Sequence, residues 1–158
     1  MVCLGNICRS PLAEGILDAQ IKKLGLDWEV DSASTNGLHI GEASHLLSQK
    51  VAMQHGIDIS KQRSRKFVAD DFNKFDKIYA MAQDVIEEMK WIAKKQFDAS
   101  KVSLIMNEAY SGKNMDVPDP WSGPESGYHH AYKMIDEASE MIIEKYAKLK
   151  MRDTGYEM

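Results

Sequence analysis

The sequence has little cysteine. Only Cys3 and Cys8 occur among 158 residues. That is not the dense pattern of a small secreted disulfide scaffold. A zinc site would need two further ligands, and His39, His45, His55, His129 and His130 show no partnering spacing. No metal and no cofactor are expected. Proline is scarce too, and three of the four prolines fall between Ser111 and Gly127. No apolar run approaches the ~20 residues of a membrane helix, so no membrane partner is expected. Charge follows the first apolar residues instead of preceding them, unlike a signal peptide. These absences imply a cytoplasmic address. Basic charge is also lacking: 20 Lys and Arg against 24 Asp and Glu give -4. A dedicated nucleic-acid binder is therefore disfavoured. Nothing in the sequence sets the oligomeric state.

What is present is ordinary globular material, 44% hydrophobic and 28% charged. The length suits one domain with its own core. Residues 1–150 are read as that domain and Met151–Met158 as a frayed tail. Strands are expected at Val2–Leu4, Trp28–Ala33, Lys77–Met81 and Lys101–Met106. Helices are expected from Ser10-Pro11 to Gly25, over Ala43–His55, from an Asp84 cap to Lys95, and from Ser126 to Lys148. Leu12, Ile16, Leu17, Ile21 and Leu24 share one face of the first helix. Leu46, Leu47, Val51 and Met53 are read as inward in the second, and Val85, Met89 and Ile92 in the third. The alternation implies an α/β fold, with right-handed crossovers and a parallel sheet.

Chemistry concentrates in Cys3-Leu4-Gly5-Asn6-Ile7-Cys8-Arg9-Ser10, between a strand end and a helix start. Ligands bind there in α/β folds. Free backbone N–H groups and the helix dipole favour an anion. Gly5 allows close backbone approach. Arg9 can grip a phosphoryl group through two parallel hydrogen bonds, which Lys cannot. The same positive field favours a Cys3 thiolate, an activated nucleophile. Asn6 tolerates positive φ and can brace the loop. The Ser10 hydroxyl can donate to the Cys3 sulfur. Neither a Walker loop nor a GxGxxG dinucleotide loop fits this string.

Expelling a tyrosyl oxygen from phosphorus needs a proton donor. The outstanding candidate is Asp119 in Asp116-Val117-Pro118-Asp119-Pro120-Trp121, where two prolines stiffen its backbone. Asp116 competes for the role.

These residues resemble the low-molecular-weight protein tyrosine phosphatase family. Val2–Pro11 is similar to its signature loop throughout, and Val117-Pro118-Asp119-Pro120 to its acid loop. Asp31-Ser32-Ala33, Gly41, His55-Gly56-Ile57 and Phe75-Asp76-Lys77-Ile78 match in order between them. The resemblance implies three α/β/α layers around a four-stranded parallel sheet. The phosphate-binding loop then joins the first strand to the first helix. It implies catalysis by Cys3, Arg9 and Asp119 through a phosphocysteine, with no metal and with a phosphotyrosine protein or peptide as substrate. It implies phosphate or substrate contacts from Leu4, Gly5, Asn6, Ile7, Cys8 and Ser10. Arsenate reductases on this fold use additional cysteines, which are missing here. Relatives acting on phosphoarginine tend to carry Thr where Ile7 stands, so Ile7 favours phosphotyrosine. Cys8 resembles a second loop cysteine that forms a reversible disulfide, or it is a packing residue.

Several positions depart from the family. Its rim aromatic before Gly41 is replaced within Asn36-Gly37-Leu38-His39-Ile40, where Leu38 is taken as the rim contact. Trp121-Ser122 stands for two tyrosines, and Trp121 can wall a phenyl ring. Met81-Ala82 stands for Met-Asp, so a carboxylate that usually ties down the loop is missing there. Only Met1 and Val2 precede Cys3, whereas a strand usually has about five or six residues. Either the central strand is clipped or the recorded start omits residues. A start at Met1 predicts reduced stability. A phosphate- or phosphopeptide-binding module without turnover is the alternative from another class.

Overall fold

The computed structural model describes residues 1–153, with side chains described through Lys148. Four short strands form one parallel sheet: β1 Val2–Cys3, β2 Ala33–Ser34, β3 Ile78–Ala80 and β4 Val102–Leu104. Their order is β2-β1-β3-β4. Val2 pairs with Ala33 on one side and Ala80 on the other, and Ile78 pairs with Val102. The helices are α1 Arg9–Leu24, α2 Leu46–Gln54, α3 Asp71–Lys74, α4 Gln83–Ala93 and α5 Glu125–Asp153.

Alternation along the strands separates two cores, because successive strand side chains point to opposite faces. Cys3 and Tyr79 face a cluster with Leu12, Ile16, Val51, Tyr128 and Ile135, drawn from α1, α2 and α5. Val2, Ile78 and Ala80 face a cluster with Phe67, Phe72, Val85 and Met89, drawn from α3, α4 and the segment before them. The result is the expected three-layer α/β/α arrangement. The phosphate loop leaves β1 in the middle of the sheet and enters α1, so both layers hold it.

Several local expectations need correction. The second strand is Ala33–Ser34, not Trp28–Ala33, since a ladder forms only where β1 runs alongside. Residues 27–32 instead border a groove of about 790 Å³, lined in part by Leu17, Ile21, Trp28, Val30, Ile78 and Tyr146. Leu24, Leu46 and Met53 are exposed. In α2 the inward face is Ser48, Val51 and Ala52, at helical spacing from a start at Leu46. Asp84 lies in the first turn of α4 and does not cap it; Ala82 holds the cap position. The last helix extends to Asp153, three residues into the segment read as a frayed tail. Residues 154–158 of that segment lie outside the described residues.

Gly15 shows how closely α1 is pressed against its neighbours. A Cβ there would lie 2.5 Å from Ile59 Cγ2 and 3.2 Å from Ile57 Cγ2. Ile59 is itself buried. Alanine favours a helix by ~1 kcal/mol over glycine. Overpacking typically costs about 1–3 kcal/mol. Gly15→Ala should therefore lower unfolding stability by about 1 kcal/mol net in a urea titration. A gain in stability would show that the contact relaxes freely.

Candidate active site

Cys3 ends β1 and Arg9 begins α1, so the five residues between them form the loop. Its carbonyls are tied from outside. Cys3 O accepts from Thr35 N at 3.0 Å, Leu4 O from Asn36 N at 3.0 Å, and Ile7 O from His45 N at 2.8 Å. Gly5 O accepts from Ser64 Oγ at 3.1 Å, and Cys8 O from Ser48 Oγ at 3.2 Å. A planar peptide points its N–H opposite to its C=O. Outward carbonyls therefore turn the loop amides inward, toward one centre. The N-terminus of α1 adds its positive dipole end. This is a cradle for a small oxyanion.

Asn6 holds that shape. Its φ is 56°, in the left-handed region. Its amide nitrogen donates to Ser10 Oγ at 2.7 Å and to Ser32 Oγ at 2.9 Å. Its carbonyl oxygen accepts from Arg65 N at 3.1 Å. Arg65 is fixed in turn by Asp31 at 2.9 Å and Asp71 at 3.1 Å. The Ser10 oxygen, already accepting from Asn6, lies 3.0 Å from Cys3 Sγ. Its hydroxyl proton is thus free to go to the sulfur. Asn6 N also donates to Cys3 Sγ, at 3.2 Å. The Ser10 hydroxyl and the Asn6 N–H thus converge on one sulfur.

Cys8 faces the other way. Its sulfur lies 3.7 Å from the Tyr128 hydroxyl. Burial pushes its thiol up to about 11, against the lowering effect of the Tyr128 hydrogen bond. One loop cysteine is therefore surrounded by donors and the other is held as a neutral thiol.

The acid loop closes over the cradle. Val117 N donates to Met81 O at 2.8 Å, which anchors the loop beyond β3. Arg9 Nη1 donates to Val117 O at 2.9 Å, and Nη2 lies 3.7 Å from Asp119 Oδ2. Arg9 is only 4% exposed. The two candidate carboxylates separate cleanly. Asp116 Oδ1 accepts from Gln83 N at 2.9 Å and caps α4. Asp119 faces Arg9 and the loop. Trp121 N donates to Asp119 Oδ1 at 3.1 Å, which holds the carboxylate against the backbone of its own turn.

Comparison with known proteins agrees with this architecture. The family model for low molecular weight phosphotyrosine protein phosphatase matches residues 1–152. The chain belongs to this family. It is 34% identical to the low molecular weight protein-tyrosine-phosphatase of Streptomyces coelicolor, over 90% of this chain and 88% of that protein. The crystal structure of a protein tyrosine phosphatase from Entamoeba histolytica superposes with a TM-score of 0.85 at 33% identity, covering 94% of this chain and 96% of the other. A Drosophila arginine phosphatase superposes with a TM-score of 0.83 at 31% identity, covering 92% and 94%.

Of the residues singled out from sequence in this low-molecular-weight phosphatase, Cys3 meets Ser10 and Arg9 meets Asp119 at the loop, while the Cys8 side chain turns away to Tyr128. Trp121 stands at its edge beside His39, with ring centroids 6.5 Å apart. Leu38, taken as the rim contact, is 76% exposed. Its neighbour His39 lies against the loop: a Cβ on Gly5 would be 3.1 Å from His39 Cδ2. Sequence reading also missed the bracing roles of Ser32, Ser48, Ser64 and Arg65. Ser32 sits in a stretch that matched the family, but its partner Asn6 is 26 residues away.

The two thiols should differ sharply in reactivity. Brief iodoacetamide treatment at pH 7, followed by peptide mass spectrometry, should place one adduct on Cys3 and none on Cys8. Ser10→Ala removes a hydrogen bond to a charged group worth about 1.5–3 kcal/mol, and should slow that alkylation about tenfold or more. Equal labelling of both cysteines would contradict the assignment.

Proposed function

We propose that this chain hydrolyses phosphotyrosine monoesters in proteins or peptides through a phosphocysteine intermediate. The observation that carries the reading is the sulfur of Cys3, held by two donors at the floor of an inward-amide loop and roofed by Arg9 and Asp119. Membership of the family and the tyrosine phosphatase activity for which the Streptomyces relative is named support it. Residues 1–150 act as the one phosphatase domain, and no metal or cofactor takes part.

The dianionic phosphoryl group binds to the amides of residues 4 to 10 and to the Arg9 fork. The Cys3 thiolate attacks phosphorus from below as the P–O bond to the phenol breaks. Asp119, as the carboxylic acid, passes its proton to the departing phenolate oxygen. Water then attacks the phosphocysteine, and the Asp119 carboxylate accepts its proton. The S–P bond breaks, and the Ser10 proton stabilises the departing thiolate. Orthophosphate leaves. Charge moves among equatorial oxygens that Arg9 and the amides already contact, so preorganised electrostatics supply most of the acceleration. Trp121 offers an apolar wall to the phenyl ring. Among the described residues no helix is long and apolar enough to cross a membrane. We place the enzyme in the cytoplasm, with no nucleic-acid or membrane partner.

The Drosophila arginine phosphatase is a specific reason to test phosphoarginine beside phosphotyrosine. Ile7 favours the aryl ester.

Aryl phosphate turnover at mildly acidic pH should fall to background in Cys3→Ser; full activity in that variant would overturn the assignment. Asp119→Ala should cost about 10²–10³-fold with phenyl phosphate, and clearly less with a nitrophenyl ester, whose leaving group needs less help. Equal losses with both esters would remove Asp119 from the acid role.

A further inference from the structure

The catalytic account leaves one histidine at the cradle without a task. His39 Nδ1 is paired with a carboxylate oxygen of Glu42. With that nitrogen committed, the ring presents its Cδ2–Nε2 edge to Gly5. A Cβ on Gly5 would lie 3.1 Å from Cδ2 and 3.9 Å from Nε2. The ring plane tilts at 55° against Trp121 across the mouth of the cleft. The side chain is 28% exposed, so water and protons reach it.

We propose that His39, oriented by Glu42, is a proton-dependent second cation of the phosphate cradle, strengthening oxyanion binding when its ring is protonated. The inference rests on reading residues 3–10 as an oxyanion site, and does not require turnover.

The chemistry follows from the groups around the ring. On its own segment it meets Glu42. Across the loop stand Cys3 and Arg9, and from the acid loop Asp119 beside Trp121. Lys66 packs along the same turn, since a Cβ on Gly37 would lie 3.2 Å from its Cδ. Arg9 is the cradle's permanent cation, and the Cys3 thiolate opposes a bound anion. A neutral His39 adds no charge beside Gly5. A protonated His39 places a positive charge there. Histidine is the side chain that makes this change near neutral pH.

The sign is fixed by linkage. An anion that binds the protonated form more tightly also holds that proton more tightly, and by the same factor. The added affinity is fully present at acidic pH and is lost as pH rises through the titration of the bound state. It resides in binding, so it moves KM and inhibition constants with little effect on kcat.

Inorganic sulfate is the probe, because its charge is constant across the range. Its dissociation constant should be measured by isothermal calorimetry from pH 5.5 to 8 in the wild type, His39→Asn and Glu42→Gln. The wild-type constant should rise with pH by about 3–10-fold more than that of His39→Asn, with the two proteins converging at the alkaline end. Glu42→Gln, which keeps the imidazole but loses its carboxylate partner, should show a reduced pH-dependent part. Proton uptake on sulfate binding, read from buffers of different ionisation enthalpy, should be smaller in His39→Asn. A purely structural role for His39 would weaken binding equally at every pH. Parallel profiles for the wild type and His39→Asn would thus overturn this inference alone. Failure of the wild type to bind sulfate at any pH would overturn the oxyanion site and this inference with it.

Discussion

Asn6 is the residue on which the site depends. One amide side chain makes three hydrogen bonds, to Ser10, Ser32 and Arg65. Its own backbone is held at positive φ, which costs a non-glycine residue about 1–2 kcal/mol. The three bonds offset that strain and pin the loop in the turn that aims its N–H at Cys3. They also orient the Ser10 hydroxyl. A glycine would adopt the same φ more cheaply, but it would leave Ser10 free to rotate and Arg65 N without a partner. The conformation and the chemistry thus require the same side chain.

The acid loop is held by an independent set of constraints. Val117 is tied on both sides, by its N–H to Met81 and by its carbonyl to Arg9. Asp116 is spent on the N-terminus of α4. Stabilising a helix end and placing an acid are therefore divided between two carboxylates three residues apart. Pro118 and Pro120 remove backbone freedom on either side of Asp119, so little entropy is lost in presenting it. The carboxylate itself remains half-exposed, which suits the acid role proposed for it.

Much of this was legible in the sequence, for physical reasons. Cys3, Gly5, Arg9 and Ser10 act within one contiguous turn, so spacing along the chain is nearly spacing in space. Asp119 was legible because its flanking prolines mark a stiff loop. The α/β class and the parallel sheet followed from the alternation of apolar runs with helical periodicity, and the three layers from the family resemblance. What escaped notice depends on contacts between distant segments. Ser64 and Arg65 brace residues about 59 positions away, and their sequence context is merely polar. The second strand was misplaced because Trp28 and Val30 have the right composition, whereas pairing is decided by where β1 lies. The contact of His39 with Gly5 escaped notice because it depends on the turn at Gly37, with φ 66°, which composition does not reveal.

The electrostatics of the resting site show why the design favours an anion over a settled ion pair. Arg9 is almost fully buried, yet its guanidinium has one short hydrogen bond, to a carbonyl, and a carboxylate only at 3.7 Å. A buried cation so loosely matched costs stability, because desolvation is not repaid by close contact. A closer Asp119 would occupy the guanidinium donors that the proposed mechanism gives to the phosphoryl oxygens. The separation of 3.7 Å keeps both groups available for the roles proposed for them. In the proposed mechanism a bound phosphoryl dianion gives Arg9 a closer anionic partner than Asp119 does, so binding would offset part of the cost of burying the guanidinium.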